Sequence, residues 1–193
     1  MPKLRIAMVG LGDIAQKAYL PIIANHPAIS PMLCTRNAQV LSELQQTYRI
    51  DEVFTDYAQL LENKPDALMI HSSTNSHYEL AKASISAGIA TFIDKPLSYN
   101  FKQCEHLVAL AKSHNVPLYV GFNRRFAPLI SAIDTQNALH IRWQKNRVAL
   151  ADDPRVVIFD DFIHVVDSLR FLCGNPTIAT LDDIGVHATM QHG

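Results

Sequence analysis

Short apolar runs alternate with helical stripes over about 120 residues at the start of the chain, a rhythm that reads as strand and helix in turn. Leu4–Val9 is a brief apolar run, as expected of a strand buried on both faces of a parallel sheet. Ile14, Ala15, Ala18, Tyr19 and Ile22 then share one helical face, with Pro21 placed to end or kink that helix. Residues 32–34 form a second strand and Ala38–Tyr48 a second helix, followed by a short strand at 53–54 and a helix over 57–63. Ala67–Ile70 is a strand, and a helix over 77–87 is stopped by Gly88, a residue suited to the position after a helix end. After a strand at 91–93, the stripe Phe101, Cys104, Leu107, Val108 and Ala111 marks a helix over Phe101–His114. A strand at 117–120 closes the series. Connections this long cannot be hairpins, so they imply right-handed crossovers and a doubly wound parallel sheet.

The pattern changes after Asn123. Residues 139–143 (Leu-His-Ile-Arg-Trp) alternate like a half-exposed strand, and 159–173 are expected to be helical and stopped by Gly174-Asn175-Pro176. Residues 177–189 have room for one or two strands. The expected division is a nucleotide domain over 1–122 and the start of an incomplete C-terminal α+β domain over 123–193. Two or three strands and one helix would leave an open apolar face. On this expectation the chain is a piece of a longer protein, or a second subunit covers that face.

Composition excludes several classes. Of 193 residues 48% are hydrophobic, and 17 basic against 18 acidic side chains leave a net charge of −1. That balance gives no electrostatic footprint for nucleic acid or an anionic membrane surface. No apolar run approaches the roughly 20 residues that span a bilayer. The N-terminal apolar stretch runs into Gly10-Leu11-Gly12, which is turn chemistry rather than a cleavage site. Cys34, Cys104 and Cys173 are odd in number, widely spaced and set among apolar neighbours, which suits free thiols in a cytoplasmic protein.

Gly10-Leu11-Gly12-Asp13-Ile14-Ala15 is a G-x-G-x-x-A string placed after the first strand and opening a helix. Gly10 would make the tight turn, Gly12 would let backbone approach a diphosphate, and Ala15 would permit close packing of helix on strand. Unpaired N–H groups at the helix start would supply the donors, unless the string is a purely structural turn. At the end of the second strand, where an acid would hold a ribose 2′-OH, the chain reads Cys34-Thr35-Arg36-Asn37. A hydroxyl and a guanidinium suit a 2′-phosphate, so NADP is the expected cofactor, with NAD possible if Arg36 is only a solvated surface residue. Lys95, at the carboxyl end of a central strand and followed by Pro96, is placed to polarise a carbonyl or steady an alkoxide, unless it is a surface turn. Asp160 and His164 stand at i and i+4 on one expected helix face, a proton-transfer pair or a helix-capping acid beside a satisfied histidine. Asp183 and His187 repeat that spacing in a stretch rich in β-favouring residues, which separates them. His71 and His77 flank the polar loop Ser72-Ser73-Thr74-Asn75-Ser76 at the ligand edge, where hydroxyls would meet the cofactor ribose or nicotinamide, or Ser76 would simply cap the following helix. His26, His106, His114, His140 and His192 read as surface or core residues, and no set of residues has metal-ligand spacing.

These motifs, with Asp94-Lys95-Pro96, Gly121-Phe122-Asn123-Arg124-Arg125-Phe126 and Asp160-x-x-x-His164-x-x-Asp167, resemble those of the Gfo/Idh/MocA oxidoreductases. The strings Ile14-Ala15-Gln16-Lys17-Ala18, His71-Ser72-Ser73-Thr74 and Asp161-x-x-His164-Val165-Val166-Asp167 are similar to the MviM-like ("virulence factor") branch. The resemblance implies an N-terminal Rossmann domain and a C-terminal α/β domain whose open sheet mediates homo-oligomerisation. It further implies hydride transfer between NAD(P) and a sugar, cyclitol or related polyol. Carried onto this chain, Lys95 is the catalytic lysine, Asp160 the acid and His164 the proton-transferring histidine. The candidate cofactor-binding set is Gly10, Gly12, Asp13, Ile14, Thr35, Arg36, Ser72, Thr74, His77, Lys95, Pro96 and Asn123. Two departures stand out: Asp94 replaces the family's usual Glu, and family members generally run beyond 300 residues. The rival expectation is a dinucleotide-binding protein without catalysis, such as a redox sensor or an inactive truncated homologue. A metal-dependent hydrolase using Asp160 and His164 is the third.

Overall fold

In a computed structural model of the chain, the described residues are 2–136, 138–146, 153–174, 176–181 and 186–190. They divide into two compact units, Met1–Gly121 and Phe122–Gly193.

The first unit is built on a six-stranded sheet. Its strands are β1 Leu4–Val9, β2 Ile29–Cys34, β3 Glu52–Phe54, β4 Ala67–Ile70, β5 Ala90–Ile93 and β6 Leu118–Val120. All neighbours are parallel, in the order β3-β2-β1-β4-β5-β6. This is the Rossmann arrangement: the order reverses between β1 and β4, which opens a crevice beyond their carboxyl ends. Register aligns Phe54, Cys34, Val9, Ile70, Ile93 and Val120 as the last row across the sheet. The next residue on each strand is therefore Thr55, Thr35, Gly10, His71, Asp94 and Gly121. Nearly every residue with candidate chemistry in this unit departs from that row.

Period-two alternation splits the core. Ala7, Val9, Met32, Cys34, Leu68 and Ile70 face one buried cluster, completed by Leu60, Ala81, Ile85 and Leu107. Met8 and Leu33 face the other, with Ala15, Leu20, Leu41 and Leu44. With both faces buried, a strand needs apolar residues at odd and even positions alike, hence the uninterrupted runs.

The helices follow from local chemistry. A π-helical turn, Ala15–Tyr19, passes into α1, Leu20–Asn25. Pro21 has no N–H for a carbonyl one turn back, so the helix changes register there and continues instead of ending. Asn37 caps α2 (Ala38–Tyr48) by accepting from Val40 N, and Asp56 caps α3 (Tyr57–Glu62) by accepting from Gln59 N. The fourth helix, α4 (Thr74–Ser86), begins three residues earlier than its apolar pattern suggests, because its first turn is polar and lines the sheet edge. Asn100 caps α5, Phe101–His114. Gly88 adopts φ +76° and donates to Ile85 O, as a helix-ending glycine does.

The second unit contains a 3-10 turn, Asn123–Phe126, and α6, Pro128–Ser131. Then come α7 (Pro154–Val156), a π-helical turn (Val157–Phe162) and α8 (Ile163–Cys173). An antiparallel pair, β7 Pro176–Leu181 with β8 Val186–Met190, supplies both strands expected in 177–189. The strand expected at 139–143 is not formed. Among the described residues no strand pairs with this segment, and Leu139 is fully exposed, so its alternation has neither ladder nor core to serve. Asn175 of the expected helix stop lies outside the described residues. No described helix is long and apolar enough to cross a membrane.

Candidate functional site

The glycine loop after β1 divides its labour between two positions. Gly10 has φ +83°, and a Cβ there would stand 2.5 Å from Ser72 N and 2.6 Å from Ser72 Cα. Its N–H donates to Cys34 O at 3.0 Å, so the loop is locked between β2 and the segment after β4. Around Gly12 the opposite holds: a Cβ there would meet nothing within 4 Å. Gly12 therefore keeps the mouth of the crevice open. Gln16 starts the helical ladder by donating N–H to Gly12 O, and its side-chain amide donates to Leu11 O at 2.7 Å, fixing the loop from below. Ala15 is fully buried, as the close approach of helix to sheet requires. Asp13 is exposed and held by Lys17 at 2.5 Å.

The loop forms one wall of a cleft of about 850 Å³, lined among others by Gly10, Gly12, Asp13, Thr35, Arg36 and Ser72. An open glycine cradle, a helix start and a cavity of ligand size fit an extended dinucleotide, whose diphosphate Gly12 and the helix N–H groups would hold. Thr35 accepts from Asn37 N through its hydroxyl at 3.3 Å. Arg36 is exposed and makes no hydrogen bond or ion pair among the described residues. The lining also contains residues that the motifs did not single out: Val40, Thr55, Asp56, Tyr57 and Leu80. Asp56, Thr55 and Tyr57 follow β3, a strand whose end carries no fingerprint of its own; the sheet register is the signal that finds them. Cys34 also lines the cleft, where burial first and Asp56 second push its thiol up to about 11, leaving it neutral and without nucleophilic character.

The loops after β4 and β5 meet through two histidines. His77 is buried, with Nδ1 2.8 Å from Pro96 O and Nε2 2.9 Å from Ser72 O. It clamps the two loops from inside and lines no part of the cleft. Ser76 is not the helix cap; Ser73 holds that position, and the Ser76 hydroxyl donates to Ser73 O from within the first turn. Ile14, Thr74, Lys95 and Pro96 are likewise absent from the cleft wall. The Lys95–Pro96 peptide is cis. His71 packs its ring on Tyr19 (centroids 4.3 Å apart) and Phe92 (5.9 Å), with Nδ1 3.8 Å from Asp94 Oδ2. Asp94 Oδ1 accepts the Lys95 N–H at 2.9 Å. Burial pushes the Asp94 carboxyl up, but the facing His71 ring, the Lys95 N–H and the Lys95 charge together hold it below its ordinary value. Burial and the same carboxylate push the Tyr19 phenol up to about 12, so it remains a hydroxyl.

In the second unit Asp160 belongs to the π-helical turn and His164 to the first turn of α8, so no single regular α-helix carries both. Asn123 opens the 3-10 turn. Arg125 and Asp167, from separate motifs, form a charged pair, as do Lys145 and Asp161 at 2.5 Å. His187 lies on β8, while Asp183 and His192 are outside the described residues. Among the described residues no group of three metal-ligating side chains is assembled.

Residues 4–122 match the oxidoreductase family GFO_IDH_MocA, described by an NAD-binding Rossmann fold. YceM of Salmonella typhimurium, an oxidoreductase by name, is 39% identical over 90% of this chain and 58% of that protein. The myo-inositol dehydrogenase Hyg17 of Streptomyces leeuwenhoekii is 28% identical over 92% and 58%. The chain thus spans somewhat under three-fifths of the length of these relatives. A Gfo/Idh/MocA family oxidoreductase from Vibrio cholerae superposes with a TM-score of 0.82 at 45% identity, covering 95% of this chain and 63% of that one. The dehydrogenase MviM of Clostridium difficile superposes at 0.76 with 29% identity and the same coverage. With residues 4–122 matched and the glycine cradle formed, this chain belongs to the Gfo/Idh/MocA oxidoreductase family, in its MviM-like branch.

Proposed function

We propose that the protein transfers hydride between NADP and a CH–OH group of a sugar, cyclitol or related polyol. The observation that carries this reading is the glycine cradle, locked at Gly10 and open at Gly12, on a cleft whose β2 end offers Thr35 and Arg36 and no acid. The inositol dehydrogenase among the relatives supports the substrate class. NADP is preferred because a 2′-phosphate needs a hydroxyl and a positive charge, and Arg36 has no other partner among the described residues.

When bound, the nicotinamide accepts or supplies the hydride. This chain's residues would do the rest. His164 would take the proton of the substrate hydroxyl in oxidation and return it in reduction. The Lys95 ammonium would polarise the substrate oxygen as charge develops on it, and Asp160 would hold the hydroxyl or orient the imidazole. In this reading the protein works in the cytoplasm as a homo-oligomer joined through its C-terminal sheet.

The test is a panel of sugars and polyols offered with NADP and NADPH, read at 340 nm (the nicotinamide band). Turnover that falls at least about 100-fold in Lys95→Ala and in His164→Ala, with NADPH still bound, supports the enzyme. Binding of NADPH with no turnover on any member of the panel, unchanged by Lys95→Ala, overturns it in favour of a binding protein.

A further inference from the structure

His71 is a costly residue where it stands. Its side chain is fully buried, and neither ring nitrogen has a hydrogen-bond partner. It lies between Tyr19 and Phe92, where any flat apolar ring would pack as well without burying two polar atoms. Ring packing therefore does not account for an imidazole at this place. What an imidazole adds is a nitrogen that can carry a proton, and Nδ1 stands 3.8 Å from Asp94 Oδ2, too far for a hydrogen bond and near enough for an ionic contact when the ring is protonated.

The Asp94 carboxylate has a second contact. Its other oxygen accepts the backbone N–H of Lys95, the residue whose side chain the proposed reaction uses. Gly121 makes room for this arrangement, since a Cβ there would come within 2.8 Å of Phe92 Cζ and 3.2 Å of Asp94 Oδ1. Among the described residues, the other ionisable groups that face the pair are the Tyr19 phenol, from the π-helical turn, and Lys95 itself.

We propose that His71 is a positioning residue for the reactive end of the nucleotide unit: its buried imidazole keeps Asp94 an anion and, through it, fixes the backbone from which Lys95 departs. An anionic Asp94 accepts the Lys95 N–H more strongly than a protonated one and sets a negative charge beside the ammonium. Its balance is delicate, because burial alone would raise the carboxyl; the facing ring and the Lys95 contacts reverse that. The consequence for turnover rests on the reading of Lys95 as catalytic, whereas the ionic contact does not.

The contact is tested on the protein without cofactor. The Asp94 carboxyl carbon, assigned by its loss in Asp94→Asn, is followed by NMR through an acid titration in the wild type and in His71→Phe, which retains the ring packing. The expected result is a titration at least about 1 pH unit higher in His71→Phe. Should His71→Phe not fold, His71→Gln, which keeps a polar side chain at the site and removes the imidazole, is titrated in its place. An Asp94 curve that is the same in the wild type and in the His71 variant overturns the proposal. NADPH affinity of the wild type is measured separately at neutral pH. Its absence would sink the proposed function and leave the result on this pair standing.

Discussion

Arg125 reaches Asp167 across 42 positions of sequence and takes both of its carboxylate oxygens, Nε donating to Oδ2 at 2.8 Å and Nη2 to Oδ1. Asp167 is buried, whereas Arg125 is 37% exposed and packs its guanidinium against the rings of Phe122 and Phe171. The forked geometry ties the 3-10 turn to α8 and accounts for two motif residues that the family resemblance left without a role. Asp167→Ala removes charge-assisted hydrogen bonds and should lower the stability of the second unit by roughly 1.5–3 kcal/mol. Urea denaturation checks this; a loss below about 0.5 kcal/mol would mean that the pair is ornamental.

The two fingerprint glycines should separate stability from binding. Gly10→Ala forces a side chain into positive φ and onto Ser72 backbone, so it should cost at least about 2 kcal/mol of stability. Gly12→Ala meets no protein atom and should fold within about 1 kcal/mol of the wild type. Its methyl group enters the space a diphosphate would use, so NADPH affinity should fall at least about tenfold, near 1.4 kcal/mol. Thermal melts and calorimetric titrations of both variants provide the comparison.

Cofactor preference turns on Arg36. Replacing it with Ala should weaken NADPH by roughly 1.5–3 kcal/mol while leaving NADH nearly unchanged. Dissociation constants for both nucleotides check this, and equal losses would end the 2′-phosphate assignment.

Acid should weaken the first unit through Asp94. Its folded carboxyl is held below the ordinary value of 3.8, so the unfolded chain binds that proton more readily. The stability it contributes is complete above the ordinary carboxylate range and is lost as pH falls below 3.8 through the folded value. Asp94→Asn should therefore show a shallower acid limb than the wild type in urea midpoints measured against pH, and parallel limbs would contradict this.

The sheet of the first unit was legible because its strands are buried on both faces and its helices carry one-sided stripes. Ala38–Tyr48 and Phe101–His114 have the limits their patterns suggest. Periodicity, by contrast, says nothing about partners. Residues 139–143 alternate without a strand to pair with, and α4 begins with the polar residues Thr74, Asn75 and Ser76, which hid its first turn. At the site, the glycine turn was readable because fingerprint chemistry is local, and Arg36 lines the same cleft. His77 is expected as a cofactor contact, but its ring is engaged by two carbonyls from different loops, 5 and 19 residues away, which local chemistry does not reveal. Asp56 and the His71–Asp94 contact became visible only when the sheet register brought β3, β4 and β5 to one edge.

Calorimetric titration of the wild type with NADPH, repeated on Gly12→Ala, bears most directly on the cleft as a dinucleotide site. Saturable binding at one nucleotide per chain is expected, with an affinity at least about tenfold weaker in a variant that melts like the wild type. No binding to the folded wild type, or identical affinity in both proteins, would contradict it.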